Sequence, residues 1–398
     1  MRLVHLADLH LGFRQYQRLT PAGINQREAD VAATVQRAAQ QIIALAPELI
    51  VIGGDVFHSV RPSNPAILHA YRVFNTVRDA LPDTPIVMVA GNHDAPRTAE
   101  TGCILRLFRE IGVHVADAKA ELFTFPTKSL AVLAVPDVPG IDRPPLLPPE
   151  GYAHTVLLVH GEVAGVLPAH AAPADRAAIE IPPEELHAER WSYVALGHYH
   201  VYREVAPGAY YSGSLDYTSS NPWGELREER EHGVPGKGFI EHDLLSGAHT
   251  FHPVAPARPL LDLEPIDASG MSAADLDKAI VARVETAPGG IDDRVVRVTV
   301  RNVPRHIVRE LDHAALREYR KRAMHFHLDA RRPEPLSRRR TGDGGPGRRQ
   351  TLHEVLAERL RERVLAADVD RDALVTLGLQ YLQQAEDAAM AALPVLEG

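Results

Sequence analysis

Five short groups of polar residues carry the chemistry that this chain could perform. They are Asp8-Leu9-His10, Gly54-Asp55, Gly91-Asn92-His93-Asp94, His160-Gly161 and Gly197-His198-Tyr199-His200. Each group follows a short apolar run, and such a run is typical of a buried strand. Alternation along a strand predicts that Asp8 and His10 lie on one side and reach one cation. The same argument predicts that His198 and His200 share a cation.

This donor set indicates a particular class of metal site. Carboxylate, imidazole and amide ligands suit Mn, Fe or Zn better than Ca²⁺ or a thiolate cage. Two such cations, roughly 3.5–4 Å apart, can activate water and offset the charge on the leaving oxygen of a phosphate ester. We expect Asp55 to bridge them, because one carboxylate can hold two metals through separate oxygens. Glycines 54, 91, 161 and 197 would let the backbone approach closely.

Taken singly, each group is weak evidence, because an isolated histidine after a strand is more often an ordinary core or surface residue. Their joint occurrence in this order is different. So many buried polar groups would be costly without a metal. The sequence therefore predicts a phosphoesterase with two divalent cations.

Composition limits the class of protein. The 398 residues indicate two or three domains, and 45% hydrophobic with 24% charged residues is globular. A net charge of -9 excludes coating of nucleic acid by bulk charge, although a local basic groove or a metal centre could bind phosphates. The single Cys103 rules out an internal disulfide, and we predict that it is buried. With neither a secretory signal nor an apolar run near ~20 residues, we predict a cytoplasmic protein without membrane contact.

Short apolar runs and helical patterns position the polar groups. Strands are predicted at 3–7, 49–52, 86–90, 156–159 and 194–196. Helices are predicted at 25–45, 65–81 and 98–111. This order indicates an α/β layered domain whose polar groups lie at the carboxyl ends of its strands.

Beyond residue 258 the sequence pattern changes. Residues 259–330 predict a small α/β domain, with strands near 261–263, 296–300 and 324–328 and helices starting at 272 and over 308–320. Residues 331–350 are rich in Arg and Gly and predict a flexible linker, which either contacts DNA phosphates or is simply solvated. Residues 351–390 predict a helical hairpin with too little core to stand alone. Its apolar face needs a partner or the body of the protein, and we favour a partner.

The order of the five groups resembles that of the calcineurin-like metallophosphoesterases. The resemblance implies a sandwich of two mixed sheets flanked by helices, and manganese as the usual metal, with Mg²⁺, Fe²⁺ or Zn²⁺ as alternatives. It implies that one cation is bound by Asp8, His10, Asp55 and His200. It implies that the other is bound by Asp55, Asn92, His160 and His198. His93 would protonate the leaving oxygen or steady the phosphate, and Asp94 would orient His93.

Within that family, residues 4–12, 54–58 and 211–214 look like those of SbcD-type nuclease subunits of DNA double-strand-break repair. That likeness implies a nuclease domain at 1–258 and a DNA-binding cap at 259–330, where Arg297 and Arg301 would contact DNA. It implies that the hairpin grips the coiled coil of an SbcC-like ABC-type ATPase. His58 would lie near the phosphate, and helices 65–81 and 98–111 would form a homodimer interface. The stretch 216–225 differs from the Phe-Gly-Glu-like stretch of SbcD-type chains.

Three functions are compatible with these patterns. The one we favour is a DNA exonuclease and endonuclease subunit with an ATPase partner. A small-molecule phosphodiesterase or nucleotidase would need neither the cap with its two arginines nor the orphan hairpin. A non-catalytic scaffold would have no need of the intact ligand set and His93.

Overall fold

The computed structural model describes residues 1–95, 102–140, 143–166, 176–333, 352–362 and 370–391. Its strands are β1 (Arg2–Leu6), β2 (Leu49–Ile52), β3 (Ile86–Val89), β4 (His114–Ala116), β5 (Glu121–Phe125), β6 (Leu130–Val135), β7 (His154–His160), β8 (Glu162–Val163), β9 (Glu180–Ile181), β10 (Tyr193–Gly197), β11 (Arg203–Ala206), β12 (Ala209–Tyr211), β13 (Gly238–Asp243), β14 (His249–Pro253), β15 (Leu260–Asp267), β16 (Val295–Arg301) and β17 (His325–Ala330). Its α-helices are α1 (Gln26–Leu45), α2 (Asn64–Ala80), α3 (Pro222–Glu231), α4 (Ala273–Glu285), α5 (Arg305–Glu310), α6 (His313–Arg322), α7 (Leu352–Glu362) and α8 (Arg371–Ala391). The chain divides into two units, Met1–Pro333 and Glu334–Gly398.

Two six-stranded mixed sheets form the body of the first unit. Their strand orders are β14-β13-β1-β2-β3-β4 and β11-β12-β10-β7-β6-β5. In the first sheet β1, β2, β3 and β4 run parallel, and the antiparallel pairings of β13 lie at one end. In the second sheet β6, β7, β10 and β12 run parallel, and the antiparallel strands β5 and β11 form the two edges. Apolar side chains of both sheets, including Val51, Val89, Val132 and Leu158, pack together in one fully buried cluster. The predicted sandwich of two mixed sheets is confirmed.

Helices α1 and α2 cover the outer face of the first sheet. Asn25 caps α1 by accepting a hydrogen bond from the N–H of Arg27. Val31, Val35 and Ile42 then form a buried stripe at helical spacing. The helices predicted at 25–45 and 65–81 are confirmed to within a residue.

The helix predicted at 98–111 differs from the structure. Positions 98–101 lie outside the described residues, and Ile104–Ile111 form a 3₁₀-helix. Leu105 and Phe108, three residues apart, are its fully buried side chains, and a 3₁₀-helix places residues at that spacing on one face. Cys103, just before it, is buried as predicted.

A three-stranded parallel sheet, β15-β16-β17, follows within the same unit, with α4 and then α5 and α6 as its connections. The single helix predicted at 308–320 is wrong. The chain breaks at the buried Leu311, and Asp312 starts α6 by accepting hydrogen bonds from the N–H groups of Ala314 and Ala315. Two arginines attach this sheet region to the body. Arg258 pairs with Asp30 at 2.7 Å, and Arg18 donates to the carbonyl oxygen of Ala323 at 2.8 Å.

The second unit contains α7 and α8. Leu360 of α7 packs against Gly378 of α8, whereas Leu377 and Tyr381 expose 49% and 65% of their surface. The predicted linker lies outside the described residues, apart from 331–333. Across the described ranges, none of the helices combines the length and apolarity that a bilayer crossing requires.

Candidate metal centre

The five polar groups meet at one edge of the sandwich. Asp8, Asp55 and Asn92 follow β1, β2 and β3, which are parallel neighbours. His160 ends β7, and His198 follows its parallel neighbour β10. Carboxyl ends of parallel strands lie together, and the residues predicted at the strand ends therefore lie close to one another.

Strand alternation, however, is the wrong reason for the pairing of Asp8 with His10. Both residues lie beyond β1 with φ values of 53° and 46°, and Asp55 has φ 49°. L-residues with side chains rarely adopt this left-handed region, and such strain is concentrated at functional sites. Sharp turns rather than extended backbone therefore aim these side chains inward.

One group of donors forms around His10. Asp8, His10 and His200 offer ligand atoms within 4.8 Å of one another. The Nε2 atoms of His10 and His200 are 3.0 Å apart, and His10 Nε2 lies 3.7 Å from Asp55 Oδ2. These four residues are the set predicted for one cation.

A second group forms around His160. Its Nε2 lies 3.6 Å from Asp55 Oδ2 and 3.0 Å from Asn92 Oδ1. His198 joins this group, with Nδ1 at 3.3 Å from Asn92 Oδ1. His198 and His200, which strand alternation predicts to share a cation, therefore lie in different groups. The chain turns at His198, where φ is 104°, and sends the two rings to different groups.

Asp55 lies between the two groups. Its Oδ2 faces both His10 and His160, while its Oδ1 accepts a hydrogen bond from the N–H of His93 at 2.9 Å. Bridging of two cations through separate oxygens of Asp55 stays a prediction, and Oδ2 is the oxygen that lies close to both histidines. A Cβ atom at Gly91 would overlap Asp55 Oδ1, so this close approach requires glycine.

His93 and His58 line the open side of the groups. Their rings stack with centroids 5.1 Å apart, and His93 Nδ1 lies 2.9 Å from the carbonyl oxygen of His58. The carboxylate of Asp94, which is expected to orient His93, does not contact the His93 ring in the structure. It accepts hydrogen bonds from the N–H groups of Val56, Phe57 and Gly91, and so fastens two loops together.

The donor chemistry fits divalent cations. Asp8, His10, Asp55 and His160 are each at most 1% exposed. Burial raises the pKa of Asp8, and burial together with the nearby His200 lowers the pKa of His10. Both shifts disfavour the charged forms in a protein-only site. Carboxylate, amide and imidazole atoms that converge in this way are stabilised by a cation.

Two further carboxylates contact the centre, and the sequence motifs did not single them out. Glu162 Oε1 lies 3.3 Å from His198 Nε2, and Glu225 Oε1 lies 3.4 Å from His200 Nδ1. Glu162 is two residues beyond His160, and Glu225 ends the Trp-Gly-Glu stretch at residues 223–225. That stretch was the available signal.

A cleft of about 910 Å³ opens over the two groups and continues along α3, where Arg14, Arg203 and Arg227 contribute to its wall. The two arginines predicted to contact DNA lie on the small sheet. Arg297 forms a two-point ion pair with Asp262 at 2.8 and 2.6 Å and lies over the Trp223 ring, whereas Arg301 is exposed.

Comparison with known families identifies the body of the chain. A model of the calcineurin-like phosphoesterase family matches residues 1–230. The chain belongs to the calcineurin-like phosphoesterase family. The resemblance drawn from the order of the motifs is therefore confirmed. Phosphoesterases of this family use divalent metals, and the described residues of this one include His and Asp groups able to bind them.

Curated relatives of this calcineurin-like phosphoesterase carry the name DNA double-strand break repair protein Mre11. The protein from Methanocaldococcus jannaschii is 25% identical over 258 residues, which cover 61% of this chain and 63% of that protein. The Methanococcus maripaludis protein is 25% identical, with 61% and 63% covered. The Methanosarcina mazei protein is 23% identical over 361 residues, with 80% and 55% covered. The matched region thus spans less than two thirds of each of these relatives.

Proposed function

We propose that this protein is a metal-dependent DNA exonuclease and endonuclease subunit of a double-strand-break repair complex. The observation that carries the proposal is the position of Asp55. Its Oδ2 atom lies 3.7 Å from His10 and 3.6 Å from His160, so one oxygen joins two donor groups. A pair of cations suits the cleavage of phosphodiesters. The relatives named as DNA double-strand break repair proteins support DNA as the substrate.

The proposed ligand sets follow from the two groups. The first cation is bound by Asp8, His10, Asp55 and His200. The second is bound by Asp55, Asn92, His160 and His198. We propose Mn²⁺, with Mg²⁺, Fe²⁺ and Zn²⁺ as ions that the same donors accept. When bound, such cations activate water at neutral pH and neutralise phosphate charge.

The chain supplies the proton and the geometry. His93 borders the cleft, and its Nδ1–H donates to the carbonyl oxygen of His58, which fixes the direction of the ring. In the protonated ring, Nε2 then holds the proton that passes to the leaving oxygen. Asp94 keeps the loops of His93 and Asp55 together, and His58 stacks on His93 beside the phosphate.

The remaining parts of the chain receive matching roles. We propose a nuclease domain at 1–258 and a cap at 259–330 that binds DNA through Arg301 and, once it leaves Asp262, Arg297. Residues 331–350 would link the cap to a hairpin at 351–390, and that hairpin would bind a coiled-coil ABC-type ATPase. Homodimer formation through α2 and the segment 98–111, and a location in the cytoplasm, complete the proposal.

The test is Mn²⁺-dependent hydrolysis of linear double-stranded DNA beside bis-para-nitrophenyl phosphate. We expect His93→Ala to lose roughly 10²–10⁴-fold in DNA cleavage, as for other catalytic acids, and to keep its metal. Full activity of the variant would remove His93 from the mechanism. Turnover of the small diester without cleavage of DNA would favour a small-molecule phosphodiesterase or nucleotidase instead.

A further inference from the structure

Two carboxylates outside the proposed ligand sets face the two histidines of the Gly-His-x-His stretch from behind. Glu225 lies 3.4 Å from Nδ1 of His200, whose Nε2 faces His10 at 3.0 Å. Glu162 lies 3.3 Å from Nε2 of His198, whose Nδ1 faces Asn92 at 3.3 Å. The two rings therefore present opposite nitrogens to the metal centre.

Opposite nitrogens require opposite tautomers. A neutral imidazole carries one N–H, and the nitrogen that binds a metal must be free of hydrogen. His200 must carry its hydrogen on Nδ1, and His198 must carry its hydrogen on Nε2. A carboxylate beside the outer nitrogen accepts that N–H and so selects the tautomer and the ring direction.

Lys237 fixes the position of the Glu225 carboxylate. Lys237, whose side chain is 1% exposed, donates to Glu225 Oε2 and, at 2.7 Å, to the carbonyl oxygen of His200. Glu225 Oε1 and His200 Nδ1 are both buried, and within the described part of the chain neither has another hydrogen-bond partner. The two atoms are thus available only to each other.

Hydrogen bonds from Arg176 and Ala177 fix the position of the Glu162 carboxylate in a similar way. Arg176 donates to Glu162 Oε2 from Nε and Nη2 at 3.2 and 3.0 Å. The N–H of Ala177 donates to Oε1 at 2.9 Å. Glu162 is 3% exposed, and its Oε1 is the oxygen that faces His198. Each of the two histidines thus faces a different carboxylate, and each carboxylate pairs with a basic side chain, Lys237 for Glu225 and Arg176 for Glu162.

We propose that Glu225 and Glu162 are positioning residues, which turn His200 Nε2 and His198 Nδ1 toward the two cations. The inference rests on the metal centre of the proposed function and is independent of DNA as the substrate. Each carboxylate acts on one cation only, because each touches one histidine.

Glu225→Gln gives a sharp test. Lys237 can only donate hydrogen bonds, so it should contact the amide oxygen of Gln. The amide NH₂ of Gln then faces His200 Nδ1. That NH₂ favours the wrong tautomer, with hydrogen on Nε2. We expect calorimetric titration of the metal-free full chain with Mn²⁺ to show one site weakened about 10–100-fold and the other nearly unchanged. Glu162→Gln should weaken the complementary site.

Glu229→Gln is the matched control. Glu229 pairs with the same Lys237 at 3.0 Å and is 2% exposed, but its carboxylate contacts the Tyr217 hydroxyl and not His200. It should keep both Mn²⁺ sites. Long-range ¹H–¹⁵N spectra of the metal-free chains should show the Nδ1–H form of His200 in the wild type and its loss in Glu225→Gln alone. If Glu225→Gln fails to fold, Glu225→Asp withdraws the carboxylate and keeps its charge, with the same expected loss at one site.

Three outcomes would overturn the proposal. They are two Mn²⁺ sites of wild-type affinity in Glu225→Gln, an unchanged His200 tautomer, or equal weakening in Glu229→Gln. The last would mean that the Lys237 cluster acts only on stability. A wild-type chain that binds two Mn²⁺ and cuts no DNA would refute the proposed function and leave this inference standing.

Discussion

At the residue scale, the two donor groups depend on one side chain. Asp55 is 1% exposed, and its Oδ2 is the atom within 3.7 Å of both His10 and His160. Its other oxygen is engaged by the backbone of His93. The same carboxylate therefore joins the two groups and holds the loop that carries the proposed acid.

Asp55→Asn should cost both cations. The amide has nearly the same shape, but its neutral oxygen cannot offset two positive charges. We expect metal content, measured by plasma mass spectrometry, to fall from two ions per chain toward none. Asp292→Asn, at an exposed ion pair with Arg322, is the control and should retain both. Metal content near that of the wild type in Asp55→Asn would contradict the bridging role.

His5 gives a prediction on pH. It is fully buried, with Nδ1 at 3.1 Å from the Tyr193 hydroxyl, and burial lowers its pKa to about 3. Above pH ~6.5 the ring is neutral in both the folded and the unfolded chain, so it adds no pH dependence. Below pH ~6.5 His5 gains a proton in the unfolded chain but stays neutral in the folded chain. The free energy of unfolding therefore falls as the pH drops toward 3.

His5→Gln should flatten that fall. Urea unfolding of the metal-free chain between pH 6.5 and 4.5 should lose about 1 kcal/mol less per pH unit in the variant, because one pKa unit corresponds to ~1.4 kcal/mol. His313→Gln, on the exposed start of α6, should follow the wild-type curve. Parallel curves for wild type and His5→Gln would show that His5 takes up its proton as readily in the folded chain as in the unfolded chain.

Sequence alone could indicate the main site residues but not how they are held. Asp8, Asp55, Asn92 and His160 follow buried strands, and strand ends meet whatever the details of the loops. Side-chain partners depend on left-handed turns, which apolar patterning does not reveal. For that reason the contacts of Asp94 differed from expectation, and Glu225 was missed.

At the element scale, a buried ion pair ties α1 to the loop after β12. Arg27 is 1% exposed and donates to Asp216 at 2.8 Å and to the carbonyl oxygen of Tyr217 at 3.0 Å. Thr34, two turns further along the same face of α1, donates to the other oxygen of Asp216 at 2.8 Å. The loop that leads to α3 and Glu225 is therefore anchored on α1.

Arg27→Met should destabilise the fold strongly. It leaves the Asp216 charge buried without its cation, which costs about 3–5 kcal/mol. Arg227→Met breaks an exposed pair with Glu231 on α3 and should cost under ~1 kcal/mol. Chemical unfolding followed by circular dichroism measures both. A loss below ~1 kcal/mol for Arg27→Met would mean that the carboxyl group is neutral or reaches water.

Helices were predicted correctly from the sequence where a stripe of apolar residues continues over several turns. Twenty residues of α1 and seventeen of α2 give several turns of pattern. It failed where tertiary packing decides, as at Leu311, whose burial breaks the helix predicted for 308–320. The 3₁₀ form of Ile104–Ile111 likewise follows from the packing of two side chains.

At the scale of the whole molecule, the proposed functions divide between the two units. Residues 1–333 contain the two large sheets, the small parallel sheet and the metal centre. In the described part of the second unit, Leu377 and Tyr381 of α8 expose apolar surface. Family and fold followed from motif order, whereas a partner for α8 could not be read from one chain.

Deletion of residues 350–398 should separate these functions. The shortened chain should bind two Mn²⁺ and cut short DNA, because the metal centre lies wholly in the first unit. It should no longer co-elute with a coiled-coil ABC-type ATPase in size-exclusion chromatography. Leu377→Asp with Tyr381→Asp in the full chain is the milder version and should have the same effect. Unaltered ATPase binding in both would refute the role of the hairpin.

The most direct test of the central claim is an anomalous difference map from crystals soaked in Mn²⁺. We predict two peaks roughly 3.5–4 Å apart, as in other two-metal sites, on either side of Asp55 Oδ2. One should border His10 and His200, and the other should border Asn92 and His160. A single peak, or peaks that do not share Asp55, would contradict the two-cation account.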